Sequence, residues 1–136
     1  SGLDTARAAA FLAKCQRYDG GFGECPHAEG HGGTTYCAVA SLAMMRRLDV
    51  IDVPALVHWV VHRQGQGFNG RPNKLEDTCY SYWLGCTMAL VQSLSLVDTA
   101  LLQEFTFGCQ HARRGGVSKH PRGSPDLLHS YLSIAA

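Results

Sequence analysis

Within residues 67–83, G-F-N-G-R-P-N-K-L-E-D-T-C-Y-S-Y-W, two cations, Arg71 and Lys74, stand just ahead of Asp77 and Cys79. Carboxylate and thiolate are metal ligands, whereas guanidinium and ammonium groups bind phosphate oxygens. One short stretch therefore carries part of a metal site beside part of an anion site. Zinc takes His, Cys and carboxylate, and a catalytic zinc keeps three protein ligands with one position open. Asp77, Cys79 and His129 make such a set. Residues two apart do not share a face of a helix, so Asp77 has to stand at the cap, ahead of regular helix, for both to reach one ion. Spacing alone also accommodates a plainer arrangement, with Asp77 as an N-cap, Cys79 as a core thiol and His129 as a satisfied core histidine.

The anion half is His31, Arg71, Lys74 and Lys119, with the Tyr80 hydroxyl as a neutral donor. His31 is followed by Gly32 and Gly33 at a helix start, where backbone can approach a phosphate closely. A solvated basic rim is the ordinary alternative for such cations. His58 and His62 lie four apart but lack the intervening glutamate of H-E-x-x-H, and read as an outer helix face. His27, His111 and His120 fall in loops. A divalent zinc is neutralised by Asp77 and a Cys79 thiolate, with His129 neutral, so a further thiolate leaves the cluster negative and nucleophilic. Clustered cations nearby would stabilise a departing diphosphate. Substitution of diphosphate by a thiol uses both halves; metal-assisted phosphate-ester hydrolysis prefers oxygen-rich or two-metal sites.

The elements that must position these groups repeat. Helices are expected over 3–15 with Asp4 or Thr5 as cap, 33–48, 53–63 with Asp52 as cap and Pro54 in the first turn, 77–94, 97–109 capped at Asp98, and from about 126 onward. Each unit is a helix, a glutamine, a glycine turn, a loop with proline and a second helix. The glutamines are Gln16, Gln64 and Gln110, 48 and 46 residues apart, and the prolines Pro26, Pro72 and Pro121, 46 and 49 apart. A period in the forties means stacked helical hairpins that bury their apolar faces on one another. Five residues past each proline come His31, Asp77 and Asp126, so the polar residues of all three copies open the second helix of their unit. In a stack those starts share one rim, where helix N-termini add positive potential.

The bulk numbers exclude more than they assign. At 136 residues there is room for a single domain, here one α/α-repeat domain with units of about 3–48, 52–94 and 97–136. A net charge of +1 gives no case for nonspecific nucleic-acid binding, so any cationic surface is local. The apolar runs are too short for a membrane span. Six cysteines without a C-x-x-C pair or a leader pattern point to reduced thiols and a cytoplasmic location.

Segments 29–37 (E-G-H-G-G-T-T-Y-C), 70–83 (G-R-P-N-K-L-E-D-T-C-Y-S-Y-W) and 115–131 (G-G-V-S-K-H-P-R-G-S-P-D-L-L-H-S-Y) closely resemble the β subunit of protein prenyltransferases. The resemblance implies an all-α fold, an α/α barrel or toroid of helical hairpins, that binds zinc and an isoprenoid diphosphate. It also implies transfer of the isoprenoid to the cysteine thiol of a C-terminal CaaX motif, by a heterodimer with an α subunit. By motif, Asp77, Cys79 and His129 match the zinc ligands, and His31, Arg71, Lys74 and Tyr80 the diphosphate contacts. Cys37 and Trp83 match walls of the lipid pocket; from periodicity alone both are core residues. Farnesyltransferases and the Rab-specific enzymes carry an aspartate where Lys119 stands, tied to magnesium, whereas type I geranylgeranyltransferases carry lysine. An ammonium can stand in for a divalent ion against diphosphate, so magnesium is not expected to be required. The resemblance favours the type I geranylgeranyl enzyme, with a farnesyltransferase as one alternative and a non-catalytic zinc-binding repeat scaffold as another. The family's barrel has more hairpins than the three visible here. The chain is accordingly expected to be the C-terminal part of a larger, incomplete barrel, inactive alone.

Overall fold

Three aspartates start the first helix of each unit in one conformation. Asp4, Asp52 and Asp98 are extended, with φ of −75°, −82° and −76° and ψ of 90°, 91° and 90°. Their carboxylates accept from the N–H groups of Arg7 (3.0 Å), Ala55 (2.9 Å) and Leu101 (3.0 Å), donors that otherwise lack a partner in a first turn. The computed structural model describes residues 2–136. Its helices pair into three hairpins: α1 (Thr5–Cys15) with α2 (Gly32–Met44), α3 (Val53–Val61) with α4 (Cys79–Leu90), and α5 (Thr99–Gly108) with α6 (Leu127–Ala135). Among the described residues there is no strand, only isolated bridges.

Helices α2 and α4 stop short of the expected residues 48 and 94. Arg46 and Gln92 enter the left-handed region, with φ of 55° and 57°. The next N–H turns back, Arg47 onto the Leu42 carbonyl and Ser93 onto that of Met88, both at 2.8 Å. This C-cap closes a helix whatever the apolar periodicity beyond it. Residues 48–50 and 94–96 form short 3-10 turns instead.

The repeated glutamine is the joint between units. Gln16 donates to the Asp52 carbonyl and accepts from the Asp52 N–H, both at 2.8 Å. Gln64 treats Asp98 the same way, at 2.7 and 3.0 Å. Each amide thus reads the backbone of the residue that caps the next unit's first helix. Bridges pair Gln16 with Phe22, Gln64 with Phe68 and Gln110 with Val117, so the turn after each glutamine delivers an apolar side chain inward. Phe22 and Phe68 are fully buried. Gly20, with φ of 103°, lies so close to the Ala55 carbonyl that any Cβ would collide with it.

A second joint links the starts of the second helices. The Gly32 N–H donates to the Gly70 carbonyl at 2.7 Å, and the Thr78 N–H to that of Lys119 at 3.0 Å. Helices α2, α4 and α6 therefore stand in a row with α4 in the middle. Leu84 and Met88 of α4 pack with Val39 of α2 and with Leu56 and Val60 of α3 in the main core. Around α5 only Phe105, Cys109 and Val117 form a small separate cluster. The outer edge of the third unit leaves Phe107, Leu127, Tyr131 and Ile134 exposed.

Candidate metal and anion site

Asp77, Cys79 and His129 converge between α4 and α6. Asp77 sits just ahead of α4, and its Oδ1 accepts from the Cys79 N–H at 2.9 Å. That turn, one residue ahead of the Thr78 N-cap, brings the carboxylate back over the helix start, so two residues two apart reach the same point. Thr78, buried between them, donates from Oγ1 to the Ser118 carbonyl at 2.9 Å and locks the third unit's loop onto this turn. One ligand atom from each of the three residues falls within 4.8 Å of the others, and Asp77 and Cys79 are buried.

Hydrogen-bond chemistry asks for a cation there. His129 Nδ1 lies 2.6 Å from Asp126 Oδ2, and Nε2 lies 3.2 Å from Asp77 Oδ1. A neutral ring that donates from Nδ1 to Asp126 presents a lone pair at Nε2 to a buried carboxylate, and two acceptors do not attract. A proton or a metal ion has to lie between them. Oxygen, nitrogen and sulfur together are a zinc donor set, and the outer carboxylate on a ligating histidine is the usual companion of one. Without an ion, burial pushes the Cys79 thiol far above its ordinary pKa, and the neighbouring Asp77 adds to that; Trp83 and Lys119 oppose it. Asp126 is held below the usual carboxylate range by the backbone and ring N–H groups of His129.

Beside this cluster opens a cavity of ≈ 450 Å³ lined by His31, Arg71, Lys74, Tyr80 and Lys119, together with Asp77. The five residues of the proposed anion half, drawn from all three units, thus face one space that Asp77 shares. Lys119 Nζ stands 3.5 Å from Asp77 Oδ2, which ties the cation set to the metal cluster directly. Arg71 is paired with Glu29 at 2.7 Å, an exposed partner that an incoming anion would have to displace. His31 is the N-cap of α2: its Nδ1 accepts from the Gly33 N–H at 3.1 Å, and its Nε2 lies 2.9 Å from the Tyr80 hydroxyl. Burial, with Arg71 adding, holds the His31 ring below its ordinary pKa against the pull of Glu24 and Glu29.

Along α2 and α4, Tyr36, Tyr82 and Trp83 form an aromatic group with ring centroids 5.1–5.4 Å apart. Trp83 is half-buried in it, and Cys37 beside it is exposed, so neither is a closed core position. His58 and His62 stack at 4.1 Å on the outside of α3, away from this site.

The prenyltransferase alpha-alpha toroid domain matches residues 1–136, the entire chain. The chain belongs to that family. It is 41% identical over 98% of its length to the Dictyostelium discoideum geranylgeranyl transferase type-1 subunit beta, and 42% identical over 100% to the Arabidopsis thaliana protein of that name. A Pisum sativum protein farnesyltransferase subunit beta is 43% identical over 71% of the chain. Among solved structures, Candida albicans protein geranylgeranyltransferase-I complexed with GGPP superposes with a TM-score of 0.90 and 30% identity, over 98% of this chain and 42% of that one. The chain spans 39% and 40% of the length of the two type-1 relatives. The all-helical hairpin architecture expected of a prenyltransferase toroid is the one observed.

Two members of this toroid's site lay outside the sequence-derived set. Asp126 appeared only as a helix cap five residues past a proline, although that register is shared with His31 and Asp77 and could have flagged it. Glu29 left no signal at all, because its partner Arg71 is 42 residues away in the next unit.

Proposed function

We propose that the chain is part of the catalytic β subunit of a zinc-dependent protein geranylgeranyltransferase type I, transferring a geranylgeranyl group from its diphosphate to the cysteine thiol of a CaaX-type C-terminus. One observation carries this reading: the Asp77–Cys79–His129 cluster and the cationic cavity share a wall, with Lys119 touching Asp77. A thiol held at the cluster would lie beside an anion held in the cavity, which is the arrangement a thiol displacing a diphosphate needs.

Asp77, Cys79 and His129 would hold the zinc, with Asp126 orienting the His129 ring. Zinc, when bound, supplies the positive charge that keeps a substrate thiol ionised at neutral pH. Arg71, Lys74 and Lys119 bind the diphosphate and neutralise the charge it gains as it leaves, and Tyr80 donates to it. Lys119 places a fixed ammonium where a metal ion would otherwise be needed, which favours the type I enzyme without magnesium over a farnesyltransferase. The half-buried aromatic group of Tyr36, Tyr82 and Trp83, with exposed Cys37, would form a wall for the isoprenoid.

The three units are proposed to belong to a larger barrel. Gln110 stands at the register of Gln16 and Gln64, yet no described residue meets its amide as Asp52 and Asp98 meet theirs. A prenyltransferase α subunit would complete the heterodimer.

Cobalt substitution tests the reading. In the protein assembled with its α subunit, the cobalt spectrum should shift toward thiolate coordination when a CaaX peptide is titrated in. A spectrum that ignores the peptide marks a closed, structural site and refutes the enzyme reading in favour of a zinc-binding scaffold.

A further inference from the structure

We propose that a second site, for a phosphate group that still carries a proton, lies at the joint between the first two units, where Arg63 and Trp59 donate to the phosphate oxygens and Asp19 accepts from its hydroxyl. It stands against α3 and shares no residue with the cavity beside Asp77.

The two joints are built alike, which makes one a control for the other. At the first, a Cβ on Gly21 would come within 2.5 Å of Trp59 Cε2; at the second, a Cβ on Gly67 would come within 2.5 Å of Phe105 Cδ1. Trp59 and Phe105 stand five residues ahead of the glutamine of their unit, and immediately ahead of that glutamine come Cys15, Arg63 and Cys109 in the three units. Phe105 and Cys109 are buried and pack with Val117. Packing a joint therefore asks for no more than a phenyl ring and a small thiol. The second unit carries nitrogen donors at both positions instead.

Those donors lack acceptors. Trp59 is 3% exposed, and neither its Nε1 nor Arg63 Nε and Nη1 has a hydrogen-bond partner among the described residues. A buried N–H left unmet costs stability, so such a group calls for an acceptor from outside. The guanidinium lies over the Trp59 ring, with Cζ 5.3 Å from the centroid. Burial holds it below its ordinary pKa against the pull of Asp19, yet an arginine stays charged at neutral pH. Arg63 and Trp59 line a hollow of ≈ 380 Å³ with Tyr18, Asp19 and His58. The corresponding hollow beside Phe105, of ≈ 220 Å³, carries Glu104 where the first carries His58, and a carboxylate there repels an anion. Asp19 decides which oxyanion fits the first. Its Oδ1 is fixed by the Gly21 N–H at 3.2 Å, which leaves Oδ2 to accept. Sulfate brings acceptors only and would meet that carboxylate with like charge. A phosphate that keeps a proton offers oxygens to Arg63 and Trp59 and a hydroxyl to Asp19.

Titration with inorganic phosphate, phenyl phosphate and sulfate, followed by NMR of the Trp59 indole N–H, tests the site; Trp59→Phe assigns the resonance. At about pH 5.5, below a second phosphate pKa of about 6, both phosphates keep a proton. Both should move the Trp59 signal, with sulfate binding at least about tenfold more weakly. The tighter of the two tells whether free phosphate or a monoester is the occupant. Arg63→Met, which keeps the length of the side chain without its donors, should weaken phosphate about ten- to a hundredfold, and Arg63→Cys, the residue of the other two units, should do the same. Asp19→Asn should admit sulfate to within a few-fold of phosphate, a gain of binding that misfolding cannot produce. A Trp59 resonance that ignores phosphate, sulfate binding as tightly as phosphate in the unaltered protein, or an Asp19→Asn variant that still excludes sulfate overturns the proposal. Phosphate held only in the cavity of Arg71, Lys74 and Lys119 would leave the Trp59 signal in place and refute it likewise.

Discussion

Replacing Asp126 by asparagine tests the metal centre without touching any of its three proposed ligands. The carboxylate has two partners: Oδ1 accepts from the His129 N–H at 2.9 Å, and Oδ2 faces His129 Nδ1 at 2.6 Å. Asparagine has a single acceptor oxygen. If that oxygen keeps the cap, the amide N–H groups face Nδ1, which must become an acceptor, and the ring proton moves to Nε2. Nε2 is the atom that stands 3.2 Å from Asp77 Oδ1, where a metal ion has to be met by a lone pair. Binding the ion then requires either the disfavoured tautomer or a flipped amide that abandons the cap. Loss of such an outer partner typically weakens metal affinity about 10- to 100-fold, and the wrong-tautomer geometry places Asp126→Asn toward the upper end of that range. Asp126→Ala removes the cap but leaves the ring free to choose its tautomer, so its affinity should fall less than that of the asparagine variant, while its melting temperature falls more. Zinc affinity is measured by competition with a chromophoric chelator, and stability by thermal unfolding of the metal-free proteins. Asparagine binding zinc as tightly as wild type, or alanine losing more affinity than asparagine, would refute the tautomer argument.

Three other outcomes are expected. Gly85 lies inside α4, and a Cβ there meets nothing within 4 Å; Gly85→Ala should therefore stabilise the fold by about 1 kcal/mol in urea unfolding, and a loss of stability would show that the space is needed. Gln64→Ala removes both bonds to the Asp98 backbone and should cost about 1–3 kcal/mol, whereas Gln110→Ala in this chain should change stability by less than about 0.5 kcal/mol; equal effects would contradict the joint. The Tyr82 phenol is raised to about 12, first by its hydrogen bond to Tyr36 and then by burial. That bond favours the neutral form, so Tyr36→Phe should bring the Tyr82 ionisation down in an ultraviolet tyrosinate titration, and an unmoved curve would place the cause elsewhere.

Local chemistry made much of this fold legible from residues alone. Asp52 and Asp98 cap where their spacing ahead of an apolar helix says they should, because a cap is a bond across three residues and needs no tertiary context. The proline spacing located the three units for the same reason, because each proline marks a local turn, and the glutamine spacing did so because Gln16 and Gln64 repeat one joint to the next unit. The over-long spans at α2 and α4 have a local cause too. Arg46 and Gln92 adopt a backbone that favours glycine, so nothing in their identity announces the stop.

The sequence by itself determined the period, the helix starts and the kinds of atom gathered at the rim, since these depend on hydrogen bonds and periodicities that close within a few residues. Tertiary structure decided which of those atoms meet. That Asp77 and His129 approach to 3.2 Å, that Glu29 holds Arg71, and that His31 Nε2 comes within 2.9 Å of the Tyr80 hydroxyl are all consequences of how one hairpin seats on the next. That seating is set by Gln16 and Gln64 reading backbone, and by Gly32 and Thr78 donating to the following loop. Main-chain groups are the same at every residue, so of the contacts that align the units only the glutamine end leaves a trace in the order of side chains.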